Sequence, residues 1–180
     1  KLPDQVGGGI FLREGNYVKI DQEIELGGLG KGYAIDRMRR CLKGIKNFSI
    51  NAGGDIFARG VDFEGGGWKM LFEHPTDITK AIGWVEVEGF ALACSSPSKR
   101  NWLDKHHLVN IKKMQPADQM LAVYTQAKTA LLADTYSTAI FVLGFEKART
   151  MLEKFPVEVM MVSPEGIIYR TLGFKGELFF

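Results

Sequence analysis

Two oxygen-bearing side chains, Asp134 and Thr138, lie four positions apart in the segment ALLADTYSTAIFVLG. If this segment is helical, that spacing places both side chains on one face of the helix. Mg²⁺ prefers oxygen ligands of this kind, taking one or two carboxylates together with backbone, water or phosphate oxygens. The pattern is also typical of a purely structural pair, in which Asp134 favours the helix dipole and Thr138 bonds back to a carbonyl. The segment therefore predicts either a hard-cation site or an ordinary helix.

A second segment, ELGGLGKGYAIDR at positions 25–37, places four glycines around Lys31. So much bare backbone indicates that something approaches the main chain closely, or that the turn needs positive φ angles. Glu25 and Gly32 are incompatible with a Walker loop, and Tyr33 is incompatible with a dinucleotide fingerprint. A lysine at a helix start is unfavourable for the helix dipole, so an anionic partner is favoured over a merely solvated lysine. The segment predicts a metal or anion cradle of another kind.

The remaining patterns predict the elements that must position these residues. Helices are predicted over 31–42, 130–143 and 146–155, with Gly44 and Gly144 as stops for the first two. Hairpins are predicted over 9–20 and 157–172, the second around the Pro-Glu-Gly turn at 164–166. Further strands are predicted in segments 47–60, 67–74, 82–89, 91–96, 106–111 and 120–126. This order predicts an α+β fold with a largely antiparallel sheet and flanking helices.

Bulk composition narrows the classes of function. The chain has 180 residues, 46% of them hydrophobic and 24% charged, with a net charge of +2, which is typical of one globular domain spanning 1–180. No basic run or basic-aromatic stripe is present, so nucleic acid is not an expected partner. No apolar run approaches the ~18 residues of a membrane span. Cys41 and Cys94 are too few for a disulfide framework or a zinc site.

Four blocks together resemble the ApbE family, the FAD:protein FMN transferases. They are ELGGLGKGYAIDR, SINAGGDIFARG, HHLVNI and ADTYSTAIFVLG, and both their order and their approximate spacing are similar to the family pattern. The resemblance runs from about Gly9 to Phe141 and is expected to continue to the chain end. It covers only the later portion of a typical member. The expectation is therefore one ApbE-like domain without the family's N-terminal portion, which supplies part of the FAD pocket.

The resemblance implies a set of site residues. Glu25 stands where the family has an aspartate that contacts FAD, and Lys31 matches the lysine beside the phosphates. His107 matches the family's histidine, and the Asp55 block lies near the cofactor, although Gly53-Gly54-Asp55 is also typical of a tight turn with an Asx bond. The implied roles are Gly28 (through its carbonyl), Asp134 and Thr138 for Mg²⁺; Glu25, Lys31, His107, Asp55 and Arg100 for FAD; and His107 and Lys31 for catalysis.

The chain departs from the family pattern beside His107 and in one strand. Asn110 replaces an aspartate and Ile111 a proline, and the following Thr-Gly turn is absent. Cys94-Ser95-Ser96 stands in place of Thr-Ser-Gly, with Arg100 expected to keep a cationic role. Asn110 cannot act as a base, although it can orient a neighbour. These departures bear on activity more than on the fold.

The resemblance implies Mg²⁺-dependent transfer of the FMN moiety of FAD to a Ser or Thr hydroxyl of a partner flavoprotein, or to water as an FAD pyrophosphatase. Two alternatives stay open: a non-catalytic relative that binds FAD or another nucleotide, and an interaction domain that has lost its cofactor. The implied partners are FAD and an acceptor flavoprotein. An open sheet edge would allow a homodimer. Resemblance to exported relatives implies a cell-envelope or periplasmic location, with a cytoplasmic one as the alternative.

Overall fold

The computed structural model describes residues 11–21, 24–98, 101–102 and 105–179. Its α-helices are α1 (Gly27–Cys41), α2 (Ala130–Leu143) and α3 (Phe145–Arg149), followed by a 3₁₀ turn at Leu152–Lys154. The strands are β1 Phe11–Glu14, β2 Tyr17–Ile20, β3 Phe48–Ala52, β4 Asp55–Arg59, β5 Trp68–Glu73, β6 Ala81–Val87, β7 Ala91–Ser95, β8 Asn101–Trp102, β9 Lys105–His106, β10 Val109–Asn110, β11 Gln115–Pro116, β12 Ala122–Ala127, β13 Glu158–Val162, β14 Ile168–Arg170 and β15 Glu177–Leu178.

The strands form antiparallel sheets. The largest sheet has six strands in the order β14-β13-β12-β7-β4-β3, and a second has three in the order β15-β6-β5. The register within the large sheet pairs Tyr124 of β12 with Cys94 of β7 and with Met160 of β13. Short two-stranded ribbons are formed by β1-β2, β8-β9 and β10-β11. The predicted α+β class with a largely antiparallel sheet is confirmed.

The six-stranded sheet lies between two other layers. One face carries Phe57, Val123 and Met161, which pack with α1 and α2 in one apolar cluster. The opposite face carries Tyr124 and Met160, which pack with side chains of the three-stranded sheet. Because side chains alternate along a strand, neighbouring residues of β12 and β13 serve the two clusters in turn. The helices are thereby held flat against one face, with α1 packed directly on α2.

Two helices differ from the sequence prediction. Helix α1 begins at Gly27, four residues before the predicted start at Lys31, so the glycine-rich segment is itself helical. The N-cap residue, Leu26, makes no side-chain cap bond. The first amide, Gly27 N, instead donates to Oε1 of the preceding Glu25 at 2.6 Å, and this cap stabilises a start that propensity alone disfavours. The predicted helix over 146–155 is instead α3 followed by the 3₁₀ turn. None of the helices in the described ranges is long and apolar enough to cross a membrane.

The strand predicted over 106–111 is also different. A bend at His107 divides it into the ends of two ribbons, β9 and β10. The short C-terminal strand β15 has no counterpart in the prediction, because Gly173 and Gly176 precede it closely and a two-residue strand leaves no periodic signal. The hairpins at β1-β2 and β13-β14 are confirmed.

Helix α2 is anchored at its start by a side chain of α1. Asp36 accepts from the Ala130 amide at 3.1 Å through Oδ1 and from the Leu131 amide at 3.0 Å through Oδ2. Thr129 is the N-cap residue, and its hydroxyl accepts from the amide of Leu132. These bonds satisfy amides that lack partners within the helix and place a negative charge at its positive end. They fix the position of α2 relative to α1, which is where the two predicted site segments meet.

Candidate functional site

Two buried carboxylates and one ammonium group meet where α1, α2 and β4 come together. Lys31 Nζ donates to Asp134 Oδ1 at 2.9 Å and lies 3.2 Å from Asp55 Oδ2. The carboxylate side chains are each 2% exposed, whereas the lysine side chain is 36% exposed. Lys31 therefore links the buried acids to a surface that a ligand can reach. The two sequence segments and the Asp55 block, distant along the chain, form one cluster.

Asp55 is the less satisfied of the two acids. Its Oδ2 is a buried side-chain oxygen that accepts no hydrogen bond, because its ion pair with Lys31 falls short of hydrogen-bond geometry. Burial raises the pKa of Asp55 to about 7, with Asp134 adding to the rise and Lys31 opposing it. Burial lowers the pKa of Lys31, but its ion pairs with Asp134 and Asp55 outweigh that effect and leave the pKa raised. The lysine thus stays charged. Because the cluster contains two carboxyl groups and one ammonium group, it can accommodate a further positive charge.

In the glycine-rich segment at 25–37, Gly32 lies where α1 crosses α2. A Cβ on Gly32 would lie 2.3 Å from the Ala130 carbonyl oxygen, so only glycine allows α1 to cross α2 this closely. The Gly32 amide donates to Asp134 Oδ2 at 2.8 Å, which holds the carboxylate through the oxygen that Lys31 does not contact. In a regular helix that amide would serve the Gly28 carbonyl, so Asp134 competes with this carbonyl for it. Close helix crossing, and not a positive φ, explains the glycine at position 32.

Gly28 and Thr138, two of the three predicted metal ligands, are neighbours across the helix crossing. A Cβ on Gly28 would lie 3.1 Å from Thr138 Cγ2 and 3.4 Å from its Oγ1. Asp134, the third, is one turn before Thr138 on the same face of α2. The structural alternative for Thr138 is realised by its neighbour instead: Ser137 Oγ donates back to the Asp134 carbonyl at 2.9 Å. Thr138 Oγ1 lies 3.2 Å from Ser95 Oγ.

The other predicted residues are placed differently. Glu25 is exposed and accepts from the Gly27 amide, which lies one turn before Lys31 in α1. His107 is exposed at the bend between β9 and β10, and its neighbour His106 packs edge-on against Phe141, about two turns beyond Asp134 in α2. Arg100 lies outside the described residues. The tight turn considered for Gly53-Gly54 is present, with its Asx bond made by Asn51 Oδ1 and not by Asp55.

The sequence relationships agree with this arrangement. The family model described as ApbE family matches residues 10–161. The chain belongs to the ApbE family. That range includes Gly28, Lys31, Asp55, Asp134 and Thr138 alike, so the cluster lies within the matched region.

Individual ApbE relatives extend the comparison. The chain is 30% identical over 160 residues to FAD:protein FMN transferase of Escherichia coli K12, covering 84% of this chain and 45% of the relative. It is 31% identical, with the same coverage of both chains, to the protein of that name from Klebsiella pneumoniae strain 342. The chain thus spans about half the length of the curated relatives it matches.

Solved ApbE structures share the fold. The crystal structure of the ApbE protein from Thermotoga maritima MSB8 superposes with a TM-score of 0.75 at 28% identity, covering 90% of this chain and 57% of that one. The flavin transferase ApbE from Vibrio cholerae gives a TM-score of 0.79 at 23% identity, covering 91% and 56%. At 23% identity, the similarity to the Vibrio cholerae structure is evidence for the fold alone.

Sequence reasoning missed residues that support the cluster. Ser137 and Asp36 have no distinguishing pattern of their own, because their roles depend on a partner more than 40 positions away. Ser95 stands out in the sequence only as part of Cys94-Ser95-Ser96, which replaces the family's Thr-Ser-Gly. For Gly32 the signal was present in the glycine-rich segment, but the crossing that requires it is tertiary. None of these residues could be assigned a role before α1, α2 and β7 were placed together.

Proposed function

We propose that this chain carries the phosphate-binding part of an FAD:protein FMN transferase. The observation that carries the proposal is the cluster of Lys31 with buried Asp134 and Asp55, next to Thr138, in a chain of the ApbE family. Relatives that match most of this chain are named FAD:protein FMN transferase. In the proposed reaction the hydroxyl oxygen of a Ser or Thr of a flavoprotein bonds to the FMN-side phosphorus of FAD and gives up its proton, while the bond to the AMP phosphate breaks and AMP leaves.

The residues present fit a magnesium ion chemically. Gly28, Asp134 and Thr138 offer a carbonyl, a carboxylate and a hydroxyl, all oxygen donors of the kind that Mg²⁺ prefers. Asp55 adds a second carboxylate whose Oδ2 accepts no hydrogen bond. Among the described residues no group of three or more His, Cys, Asp and Glu side chains is arranged to hold a metal, so most ligands would be backbone, hydroxyl and substrate oxygens. When bound, Mg²⁺ neutralises charge on the phosphates during transfer.

The chain's own residues have distinct roles in this proposal. Lys31 is held by Asp134 yet partly exposed, so its ammonium can meet a phosphate oxygen while staying anchored. The Gly32 amide holds Asp134 in one orientation, which keeps its carboxylate ready without rearrangement. Glu25 caps α1 and so keeps the glycine segment helical beside the site. Catalysis by His107 and FAD contacts from Glu25, His107 and Arg100 stay predictions.

A second candidate function is FAD binding without turnover. Both Asp134 oxygens are already engaged, Oδ1 by Lys31 and Oδ2 by the Gly32 amide. In that arrangement Lys31 supplies the positive charge that a metal would otherwise bring. Asn110, in place of a family aspartate, favours the same alternative because an amide cannot take a proton from the acceptor.

Partners and location are part of the proposal. The acceptor would be a flavoprotein with an exposed Ser or Thr, and water would be the acceptor if the chain hydrolyses FAD to FMN and AMP. A homodimer and a cell-envelope location also stay predictions. Size-exclusion chromatography with light scattering would test the first, and fractionation of cells producing the protein would test the second.

The deciding measurement is AMP release from FAD, with and without Mg²⁺, together with FAD fluorescence on adding the protein. We expect Mg²⁺-dependent release that Asp134→Asn abolishes and that Asp118→Asn, a change at an exposed position, leaves intact. Free FMN appearing with AMP would identify hydrolysis, whereas flavin retained on an added flavoprotein would identify transfer. Quenched FAD fluorescence without AMP would support the binding function. If the protein neither quenches FAD fluorescence nor releases AMP, both candidate functions are refuted.

A further inference from the structure

Three hydroxyl groups, those of Thr138, Ser95 and Ser137, form a hydrogen-bonded series beside the site, the hydroxyl chain. Thr138 Oγ1 lies 3.2 Å from Ser95 Oγ, which lies 2.8 Å from Ser137 Oγ. Ser137 Oγ in turn lies 2.9 Å from the carbonyl oxygen of Asp134. Ser95 lies at the end of β7, and the other two hydroxyls belong to α2, so the hydroxyl chain joins the large sheet to the helix. Ser95 is 7% exposed and Ser137 1% exposed, so both hydroxyls are buried beside protein partners.

The number of hydroxyl protons determines the direction of hydrogen-bond donation along the hydroxyl chain. Each hydroxyl has one proton to donate, and a backbone carbonyl can only accept. The proton of Ser137 is therefore directed to the Asp134 carbonyl. Ser95 must then donate to Ser137, since Ser137 has no second proton. By the same reasoning Thr138 must donate to Ser95.

The consequence concerns Thr138. Its proton points into the protein toward Ser95, so the lone pairs of Oγ1 face the half-buried side that adjoins Gly28. A hydroxyl oriented in this way acts as an acceptor only. That is the orientation a cation requires, because a hydroxyl proton directed at a metal would be repelled by it.

We propose that Ser95 and Ser137 are positioning residues that hold the Thr138 hydroxyl as an acceptor toward a bound divalent cation. The inference rests on the proposed function for the cation site, but the direction of the protons depends only on the hydrogen bonds within the hydroxyl chain. The plain alternative is that Ser95 only ties β7 to α2. In that case its removal would lower stability without changing metal affinity.

The first test is neutron diffraction from deuterium-exchanged crystals of the metal-free protein. The expected result is deuterium density on Thr138 Oγ1 directed at Ser95, and density on Ser95 directed at Ser137. Density in the opposite direction, from Ser95 to Thr138, would overturn the proposal. This outcome is independent of whether the protein binds a metal or turns over FAD.

The second test is calorimetric titration with Mg²⁺ alone, beside the melting temperature of each variant. Ser95→Ala should weaken Mg²⁺ binding roughly tenfold or more, the usual effect of removing a partner that orients a metal ligand. Ser137→Ala should weaken it in the same direction. Ser163→Ala is the matched control, since Ser163 is 2% exposed and its hydroxyl bonds Glu165 at the β13–β14 turn.

The outcomes separate the two proposals. Weaker binding in the Ser95 and Ser137 variants, with the Ser163 variant losing stability but not affinity, supports positioning. Unchanged affinity in the Ser95 variant refutes it, even if the melting temperature falls. Absence of Mg²⁺ binding to the unmodified protein would refute the cation site of the proposed function, and with it the metal-directed purpose of the hydroxyls, leaving the neutron map to decide their direction.

Discussion

Replacing Gly32 with alanine should destabilise this protein, because the new Cβ would collide with the main chain of α2. The Cβ would lie 2.3 Å from the Ala130 carbonyl oxygen, 2.6 Å from the carbonyl carbon and 2.8 Å from Asp134 Cβ. Two of these three atoms are backbone atoms that cannot rotate away as the end of a flexible side chain can. The helices α1 and α2 must therefore move apart, which also stretches the bond from the Gly32 amide to Asp134.

The magnitude follows from three contributions to the free energy of unfolding. Overpacking a filled interior costs about 1–3 kcal/mol. Weakening a hydrogen bond to a charged, buried acceptor such as Asp134 costs about 1.5–3 kcal/mol. The better helix propensity of alanine returns about 1 kcal/mol. The net expectation is a loss of about 1.5–5 kcal/mol.

Gly30 provides the matched control within the same helix. A Cβ there meets nothing within 4 Å, so Gly30→Ala should leave the protein equally stable or more stable by up to about 1 kcal/mol. Urea denaturation of the two variants and the unmodified protein, followed by circular dichroism, would measure the difference. If Gly32→Ala proves as stable as Gly30→Ala, the crossing is looser than the structure has it. The explanation for this glycine would then be wrong.

Two further predictions concern other carboxylates. Asp36→Ala removes the acceptor for the Ala130 and Leu131 amides, so its free energy of unfolding, measured by thermal denaturation, should fall by about 1–2 kcal/mol. Asp118→Ala, at an exposed position, is the control and should change it little. The second prediction is a pH dependence. The folded pKa of Asp55, about 7, is above its unfolded value, so the folded state binds this proton more tightly, and stability should fall as pH rises from about 4 to 7. Urea denaturation from pH 5 to 8 without metal should show a shallower fall in Asp55→Asn than in the unmodified protein; parallel curves would contradict the assignment.

Much of the fold could be predicted from local patterns. The β1-β2 and β13-β14 hairpins each have alternating residues around a turn with a positive-φ glycine, Gly15 and Gly166, and such signals lie within one short window. The span of α2 was also predictable, since an apolar periodicity ends at Gly144. The start of α1 was not, because four glycines oppose a helix and only the Glu25 cap and the contact with α2 compensate.

The candidate site divides in the same way. The residue types in the glycine-rich segment and the Asp134–Thr138 spacing are visible in the sequence, and the resemblance of four blocks connects them to one family. The contact between Lys31 and Asp55 was not derivable, because no local pattern relates a helix residue to a strand residue 24 positions later.

The sequence by itself therefore determined the elements, the family and the chemical groups available to the site, since these depend on residue type and on short-range spacing. Only the tertiary structure decided which groups meet. Burial of Asp55 and Asp134 around one lysine, the hydroxyl chain from Thr138 to Ser137, and the glycine required at position 32 all arise where α1 crosses α2 against the large sheet. Distance and desolvation control ion pairs, hydrogen bonds and pKa values, and both are set by packing between segments that are remote along the chain.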